Sequence, residues 1–425
     1  MRKYNFSDYS YGSRRRSWLK TTLIVIGVGL PGLLFLGELA ARALVGLVGN
    51  PKADQNSLAL AYGLKPINSP QPTSGKLLVR SNPLLGYELM PQQKNQHWQI
   101  NEQGFRSDRP VLSPKPENEI RLFLVGNSTA FGLLAPQNQQ TIAAQLEKLL
   151  SQRIAAQNQQ PDKFKPLVLP YYADQVEALQ NLPPRLQEGN YRVITAAVPG
   201  YNSGNELALV AHRLMALQPD GIILLNGYED LRSPSRELGS RLVLPPPPSQ
   251  YWGEWGQGLS TWVNQLATVQ LFQSWFMPKT ALSAQVLAPT QFSSDPQEVN
   301  LRLQRYQYNL RQIRVLAGQI PLLVALQPEI TGKRTKLTAP ERQILKNLSP
   351  DYRQNLETGY QALNQSLSQN LPAVKLINLY RALDNNPAQT FADPIHLTPA
   401  GNQAIAQILF KSLEQTFAVQ PIPPT

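Results

Sequence analysis

The stretch RLFLVGNSTAFG, residues 121–132, sets the fold class of this chain. Its apolar run ends at Gly126, and Ser128 follows two residues later in a turn of small and polar residues. A short apolar run of this kind is typical of a strand that is buried on both faces of a parallel sheet. Ser128 is then either a nucleophile held at the end of that strand or a hydroxyl that caps the next helix, and the local sequence allows both.

Four further apolar runs predict the other strands of the same sheet. They cover residues 191–198, 221–226, 321–326 and 374–379. Helical patterns lie between these runs, and a last one, residues 399–417, closes the chain. Strands that alternate with helices favour a parallel sheet covered by helices on both faces. We therefore predict an α/β fold around a five-stranded parallel sheet.

The composition narrows the chemistry that this chain can perform. Its 425 residues contain no cysteine, which excludes thiol catalysis, thiolate metal sites and disulfides. Only three histidines can serve as an imidazole base or metal ligand: His97, His212 and His396. With so few ligand types we predict no metal site and no cofactor.

The net charge of +12 is concentrated at the amino terminus. Residues 1–20 hold six Lys or Arg and one Asp, and no dense basic run with interleaved aromatic residues follows them. We therefore expect no nucleic-acid partner. The next seventeen residues, 21–37, are uncharged and as a helix span about 26 Å, a little less than the ~30 Å hydrocarbon core.

The apolar character continues to residue 48, so we predict a cytoplasmic basic tail (1–20) and a transmembrane signal anchor (21–48). Basic residues before the span place the amino terminus in the cytoplasm and the remaining chain in the periplasm or at the cell surface. The alternative is a twin-arginine export signal with Arg15 and Arg16 as the pair and a cleavage site at residues 41–43.

After the anchor we predict two parts. Residues 49–118, rich in Pro, Gln, Asn and Ser, form a stalk and lead-in that packs on the domain through residues 99–108. Residues 119–418 form the domain itself, with an insertion at about 233–296. The insertion contains Pro-rich sequence and four tryptophans: Trp252, Trp255, Trp262 and Trp275. It is either a lid, a sugar-stacking surface or a bilayer-facing patch, or else a small satellite core.

The predicted carboxyl ends of the strands carry the groups that acyl transfer needs. Ser128 follows the first strand, and Asp393 and His396 lie three residues apart after the fifth, just before a helix start at Thr398 and Pro399. A serine needs an imidazole to accept its proton, and the imidazole needs a carboxylate to fix its tautomer. The oxyanion needs donors, and we expect the backbone N–H groups of Ser128 and Gly200 together with a side-chain amide from the third strand end.

This set of residues resembles the SGNH (GDSL) hydrolase superfamily. Gly126-Asn127-Ser128 with Gly132 resembles the family's first block, G-D-S-x-x-x-G, with Asn in place of Asp. Gly200 matches the glycine of the second block, and Asp393 and His396 match the D-x-x-H of the last. The likeness extends over residues 99–415, and its lead-in INEQGFRSD is similar to that of membrane-anchored members. It implies a flavodoxin-like three-layer α/β/α sandwich, with Ser128 as nucleophile, His396 as base and Asp393 as its partner.

One position departs from the family pattern. The third block is usually G-x-N-D, and its asparagine amide donates to the oxyanion. Here Gly227-Tyr228-Glu229-Asp230 places Glu229 at that position, and an ionised carboxylate cannot donate a hydrogen bond. Asn226, three residues earlier, is the tentative replacement. Glu229 is then either protonated or in contact with a cationic or polyhydroxy substrate.

The sequence therefore predicts a membrane-anchored, extracytoplasmic serine esterase that removes small acyl groups from a carbohydrate or cell-envelope substrate. Two alternatives remain: an O-acyltransferase that acts on a glycan, and a non-catalytic glycan-binding module on the same fold. The sequence does not indicate the oligomeric state.

Overall fold

A computed structural model describes residues 58–60, 77–95, 97–179, 181–239, 242–243, 283–286, 292–371 and 374–423. The predicted basic tail, the predicted anchor (21–48) and the four clustered tryptophans lie outside the described residues. Among the residues in these ranges, no helix is both long and apolar enough to cross a membrane.

Two five-stranded sheets lie in the described part of the chain. Their strands are β1 (Leu58–Leu60), β2 (Leu77–Asn82), β3 (Gly86–Leu89), β4 (Glu119–Gly126), β5 (Asn190–Thr195), β6 (Gly221–Asn226), β7 (Leu242–Val243), β8 (Ser283–Val286), β9 (Leu322–Leu326) and β10 (Lys375–Asn378).

The central sheet has the order β10-β9-β6-β4-β5, and all its pairs are parallel. Counted along the chain, its strands lie in the order 2-1-3-4-5, which is the flavodoxin-like doubly wound arrangement. Each of these five strands overlaps one of the predicted apolar runs, so the predicted parallel sheet is confirmed. The strands β4, β6 and β9 are buried along almost their whole length, which explains their continuous apolar sequence.

The helices form a layer on each face of this sheet. They are α1 (Ser128–Phe131), α2 (Ile142–Gln159), α3 (Ala173–Ala178), α4 (Ser203–Leu209), α5 (Tyr228–Arg232), α6 (Pro296–Ala317), α7 (Ala339–Lys346), α8 (Pro350–Asn370) and α9 (Pro399–Thr416). Helix α2 packs on α9, whereas α4 and α8 both pack on α6. Crossovers between parallel strands are right-handed, and the strands after β5 are added on the other side of β4. The helices that follow β5 therefore lie on the opposite face of the sheet. The result fits the predicted three-layer α/β fold.

The lead-in is more extensively folded than the sequence indicates. Strands β2 and β3 belong to the second sheet, of order β3-β2-β1-β8-β7, and Leu77, Val79 and Tyr87 are buried. Among the described residues of the predicted stalk, buried side chains are thus already present at Leu77, ahead of residues 99–108, because the apolar residues of β2 alternate and face the core. The boundaries predicted for the domain (119–418) and its insertion (233–296) stay predictions.

The predicted contact of residues 99–108 with the domain is present. The backbone N–H of Arg106 donates to Thr195 O at the open edge of β5 (3.2 Å). Its guanidinium is buried and donates to carbonyl oxygens at the end of α1, among them Phe131 O (3.1 Å) and Gly132 O (2.6 Å). Arg106 thus satisfies carbonyl groups that a short helix leaves without partners.

Candidate active site

The turn after β4 places Ser128 at the start of a helix. Gly126 has φ 154°, and a Cβ at this position would lie 2.2 Å from Leu225 O on the neighbouring strand. Only glycine fits that approach. Helix α1 begins at Ser128, but its N-cap is Asn127, whose Oδ1 accepts from Thr129 N at 3.0 Å. The interpretation of Ser128 as the capping hydroxyl is therefore wrong.

Asp393 and His396 form a buried pair on the loop after β10. Asp393 Oδ2 lies 2.6 Å from His396 Nδ1, and Asp393 Oδ1 accepts from the backbone N–H groups of Ile395 (3.0 Å) and His396 (2.7 Å). Burial by itself raises the pKa of Asp393, but His396 and these donors outweigh it and hold the pKa below its ordinary value. An ionised Asp393 accepts from Nδ1–H and leaves Nε2 as the basic nitrogen.

The second ring nitrogen of His396 is available. Nε2 is buried, and no described residue makes a hydrogen bond with it. The Thr129 hydroxyl donates to Ile395 O at 3.0 Å, so the residue after Ser128 is bonded to the residue before His396. This hydrogen bond places the chain segments that carry Ser128 and His396 side by side, and the pairing of the two side chains stays a prediction. A buried imidazole nitrogen without a partner is the group that a serine hydroxyl or a leaving alcohol requires.

The sequence analysis missed Gln327, which lies beneath this turn. Gln327 is fully buried; it accepts from Asn127 Nδ2 (2.6 Å) and donates to Thr129 Oγ1 (3.1 Å). Gln327 therefore links the N-cap residue Asn127 to the Thr129 hydroxyl. That hydroxyl donates to Ile395 O in the loop of residues 390–398, called the histidine loop below. Gln327 follows β9 directly. Its position directly after the apolar run 321–326 is the signal in the sequence that points to it.

A fully buried ion pair holds the start of the histidine loop. Lys333 Nζ lies 2.9 Å from both carboxylate oxygens of Glu341, and neither side chain is exposed. Glu341 Oε1 also accepts from the backbone N–H groups of Thr390 (2.8 Å) and Phe391 (3.2 Å). Farther along, Ile330 N donates to Pro394 O at 2.9 Å. The loop is thus fixed on both sides of Asp393.

Gly200 lies in the turn after β5, beside the Ser128 turn. Its φ is 83°, a left-handed conformation that favours glycine. Val198 N donates to Gly126 O at 3.0 Å, which joins the two turns. Among the described residues none accepts a hydrogen bond from the N–H of Gly200 or of Ser128. Both N–H groups therefore match the predicted oxyanion donors in chemistry, and their role stays a prediction.

The two side chains at the third strand end have other partners. Asn226 Nδ2 donates to the buried Glu206, and Asn226 Oδ1 accepts from Tyr306 OH at 2.6 Å. Glu229 is also buried and accepts from Arg232 Nε at 2.7 Å. Burial raises the pKa of Glu206 well above its ordinary value. The tentative assignment of Asn226 as an oxyanion donor stays a prediction, with its amide turned toward Glu206.

The remaining histidines and possible metal ligands lie apart from this site. His212 is exposed in a π-helical segment, Val210–Leu214, that continues α4, and His97 belongs to the lead-in, where its carbonyl accepts from Arg106. Within the described ranges, no cluster of three or more histidine or acidic side chains is arranged to hold a metal ion.

No protein-family model and no curated protein matches this chain. Solved structures with a similar chain path include the lipase/acylhydrolase from Enterococcus faecalis, at 10% identity and TM-score 0.37, covering 71% of this chain and 98% of that one. The acetyl xylan esterase AlAXEase is 12% identical with TM-score 0.36, covering 69% and 100% of the two chains. Axe2, an acetylxylan esterase from Geobacillus stearothermophilus, is 13% identical with TM-score 0.33, covering 69% and 93%. The fold assignment rests on the strand order of the chain itself.

Proposed function

We propose that this protein is a serine esterase of the SGNH type that removes small acyl groups from a carbohydrate or cell-envelope substrate. The observation that carries the proposal is the buried Asp393–His396 pair with its unpartnered Nε2, joined through the Thr129–Ile395 hydrogen bond to the helix start that carries Ser128. These three groups in this arrangement are what acyl transfer through a serine requires.

The mechanism follows from the roles of these atoms. Ser128 Oγ attacks the ester carbonyl while His396 Nε2 takes its proton, and Asp393 stabilises the imidazolium that forms. The tetrahedral intermediate collapses, the alcohol leaves with the proton from Nε2, and the acyl group stays on Ser128. A water molecule, deprotonated by the same nitrogen, then attacks this ester and releases the carboxylic acid. The N–H groups of Ser128 and Gly200 stabilise the oxyanion in both steps.

The location and substrate class are part of the proposal. The uncharged segment at residues 21–37 behind a basic tail supports a membrane anchor with the catalytic domain outside the cytoplasm. The four tryptophans at residues 252–275 support a glycan substrate, because flat aromatic side chains offer an apolar face together with a polar edge. Recovery of the intact chain in a soluble cytoplasmic fraction would contradict the anchor.

Hydrolysis of an acetylated oligosaccharide tests the activity. The full chain in detergent is expected to release acetate, and Ser128→Ala is expected to abolish the release while keeping the unfolding temperature. Adding an unacetylated acceptor sugar separates esterase from acyltransferase, since a transferase acetylates the acceptor in place of water. Substrate binding that is unchanged in Ser128→Ala, without any turnover in the parent chain, would contradict both and favour a glycan-binding module.

A further inference from the structure

A side-chain oxyanion donor needs a free N–H group, and both polar side chains at the third strand end are bound to protein groups. Acyl transfer places negative charge on the carbonyl oxygen, and fixed donors near that oxygen accelerate the reaction. The amide of Asn226 is bound to Glu206, and Glu229 is a carboxylate paired with Arg232. If the site has a side-chain donor, it lies elsewhere.

Asn202 carries a buried amide group with a free nitrogen. The residue has no exposed surface, and no described residue makes a hydrogen bond with its Nδ2. A buried donor left without a partner lowers stability, so proteins rarely retain one. Such a group in a site region points to a ligand atom as its partner.

The orientation of this amide is fixed. Asn202 Oδ1 caps helix α4 and accepts from Gly204 N (3.0 Å) and Asn205 N (3.4 Å). The atom that faces two donors must be the oxygen, which assigns Nδ2 to the other side of the amide. Asn202 N in turn donates to Asn205 Oδ1 at 3.2 Å, completing a capping box. The donor is therefore held in place before any ligand binds.

Residues close to Asn202 in sequence make hydrogen bonds to the Ser128 turn on one side and to the third strand end on the other. Asn202 follows Gly200 by two residues, in the turn that is bonded to Gly126 O through Val198. On its other side, Ser203 N donates to both carboxylate oxygens of Asp230, at 3.2 Å and 3.1 Å. Asp230 is the immediate neighbour of Glu229, where the family pattern has its asparagine. Asn202 thus lies between the Gly200 turn and the position of the missing amide.

Other buried side-chain nitrogens without partners lie on different elements. Among the described residues they belong to Asn95 in the lead-in, Arg153 on α2, Arg305 on α6 and the imidazole of His396. Of these, only His396 also lies at the carboxyl edge of the parallel sheet, and it is the base. Asn202 is therefore the remaining candidate for a side-chain donor at that edge.

We propose that Asn202 Nδ2 donates to the oxyanion of the tetrahedral intermediate, in place of the asparagine that the third block lacks. This inference rests on the proposed function. It makes the second strand end the source of both the backbone donor, Gly200 N–H, and the side-chain donor. No proton is transferred in this step, because the amide only stabilises the charge.

The test uses Asn202→Ser, which keeps a side-chain oxygen as the cap of α4 and removes the amide. We expect kcat for an acetyl ester to fall by about 10²–10³-fold with KM changed by less than about threefold, the loss typical of one oxyanion donor. Affinity for a boronate transition-state analogue is expected to fall by a similar factor. A structural role alone would lower the unfolding temperature without this split between kcat and KM.

Asn309→Ser is the matched control. Asn309 is a second buried asparagine of the same polar cluster, but its Nδ2 donates to Ser203 Oγ at 2.9 Å. Its removal is expected to lower stability and to change kcat by less than threefold. A folded Asn202→Ser protein that keeps its parent kcat overturns the inference, while an inactive parent chain overturns the proposed function instead. The two failures are therefore distinguishable.

Discussion

The acid–base loop (residues 390–398) and the third strand end (residues 226–232) are both buried and polar, but their hydrogen bonds serve different ends. In the acid–base loop, the bonds fix Asp393 and the imidazole and leave one nitrogen without a partner. At the third strand end, the side chains of Asn226 and Glu229 are bound to other protein groups. In an active site, hydrogen bonds fix the surrounding groups and leave the reactive atom without a protein partner. In a structural polar cluster, the polar atoms make hydrogen bonds with one another.

This difference changes how the glutamate at position 229 is interpreted. From the sequence, a glutamate at the position of an expected amide suggests an impaired site. In the structure Glu229 forms an ion pair with Arg232, and its neighbour Asp230 accepts a hydrogen bond from the Ser203 hydroxyl. The third strand end then serves to fix the turn that carries Gly200 and Asn202. Four substitutions test this contrast between the two regions, and they follow in order of decreasing effect.

Ser128→Ala removes the proposed nucleophile. We expect the turnover of an acetyl ester to fall by about 10⁴-fold or more, because loss of the nucleophile leaves only binding and oxyanion stabilisation. The measurement is kcat with a chromogenic acetyl ester. Ser151→Ala, at an exposed position on α2, is the control and keeps full activity. Equal activity of the two variants would contradict the role of Ser128.

Glu341→Gln breaks the buried ion pair that holds the acid–base loop. It leaves the Lys333 charge buried without its partner, which is expected to lower the free energy of unfolding by about 3–5 kcal/mol. Chemical denaturation measures this change. The control is Glu357→Gln, whose partner Arg334 and own side chain are 46% and 37% exposed; there the expected change is about 0–1 kcal/mol. Equal losses in both variants would show that the buried pair does not stabilise the loop.

Glu329→Gln removes a pH dependence of stability next to the acid–base loop. Burial raises the pKa of Glu329 to about 7, so the folded protein binds a proton that the unfolded chain releases near pH 4.5. This contribution to stability is complete below pH 4.5 and is lost as the pH rises through 7, a change on the order of 3 kcal/mol. Unfolding free energies measured from pH 4 to 8 are expected to flatten in the variant. An unchanged slope contradicts the raised pKa.

Asn226→Ser disturbs the third strand end. It removes the bonds to Glu206 and Tyr306, and we expect the free energy of unfolding to fall by about 1–3 kcal/mol for the buried groups left unpaired. Activity per folded molecule is expected to fall by less than in Asn202→Ser. If the loss of kcat in Asn226→Ser is the greater of the two, the original assignment of Asn226 as oxyanion donor is right and that of Asn202 is wrong.

The sequence predicts the parts of this molecule that depend on local pattern. The five strands of the central sheet are evident because strands buried on both faces need continuous apolar runs. The start of α9 at Pro399 is evident as well, since Thr398 and Pro399 are strong signals of a helix start. The prediction of Ser128, Asp393 and His396 as site residues comes from the rule that functional groups gather at the carboxyl ends of the strands.

Features that arise only from tertiary contact could not be predicted. Lys333 and Glu341 look like ordinary surface charges in a polar stretch, and only the fold shows that both are fully buried. Asn202 looks like a helix cap, which it is, and the free nitrogen on its other side depends on what the turn packs against. Strands β2 and β3 were missed because their sequence is short and interrupted by Asn, Pro and Gly.

The central claim is that Ser128 is the nucleophile activated by His396. The most direct measurement is peptide mapping by mass spectrometry after the full chain, in detergent, reacts with an active-serine phosphonate. We expect one adduct, on Ser128, and none in a folded His396→Ala variant. A folded parent chain with no adduct, or with its adduct on another serine, would contradict it.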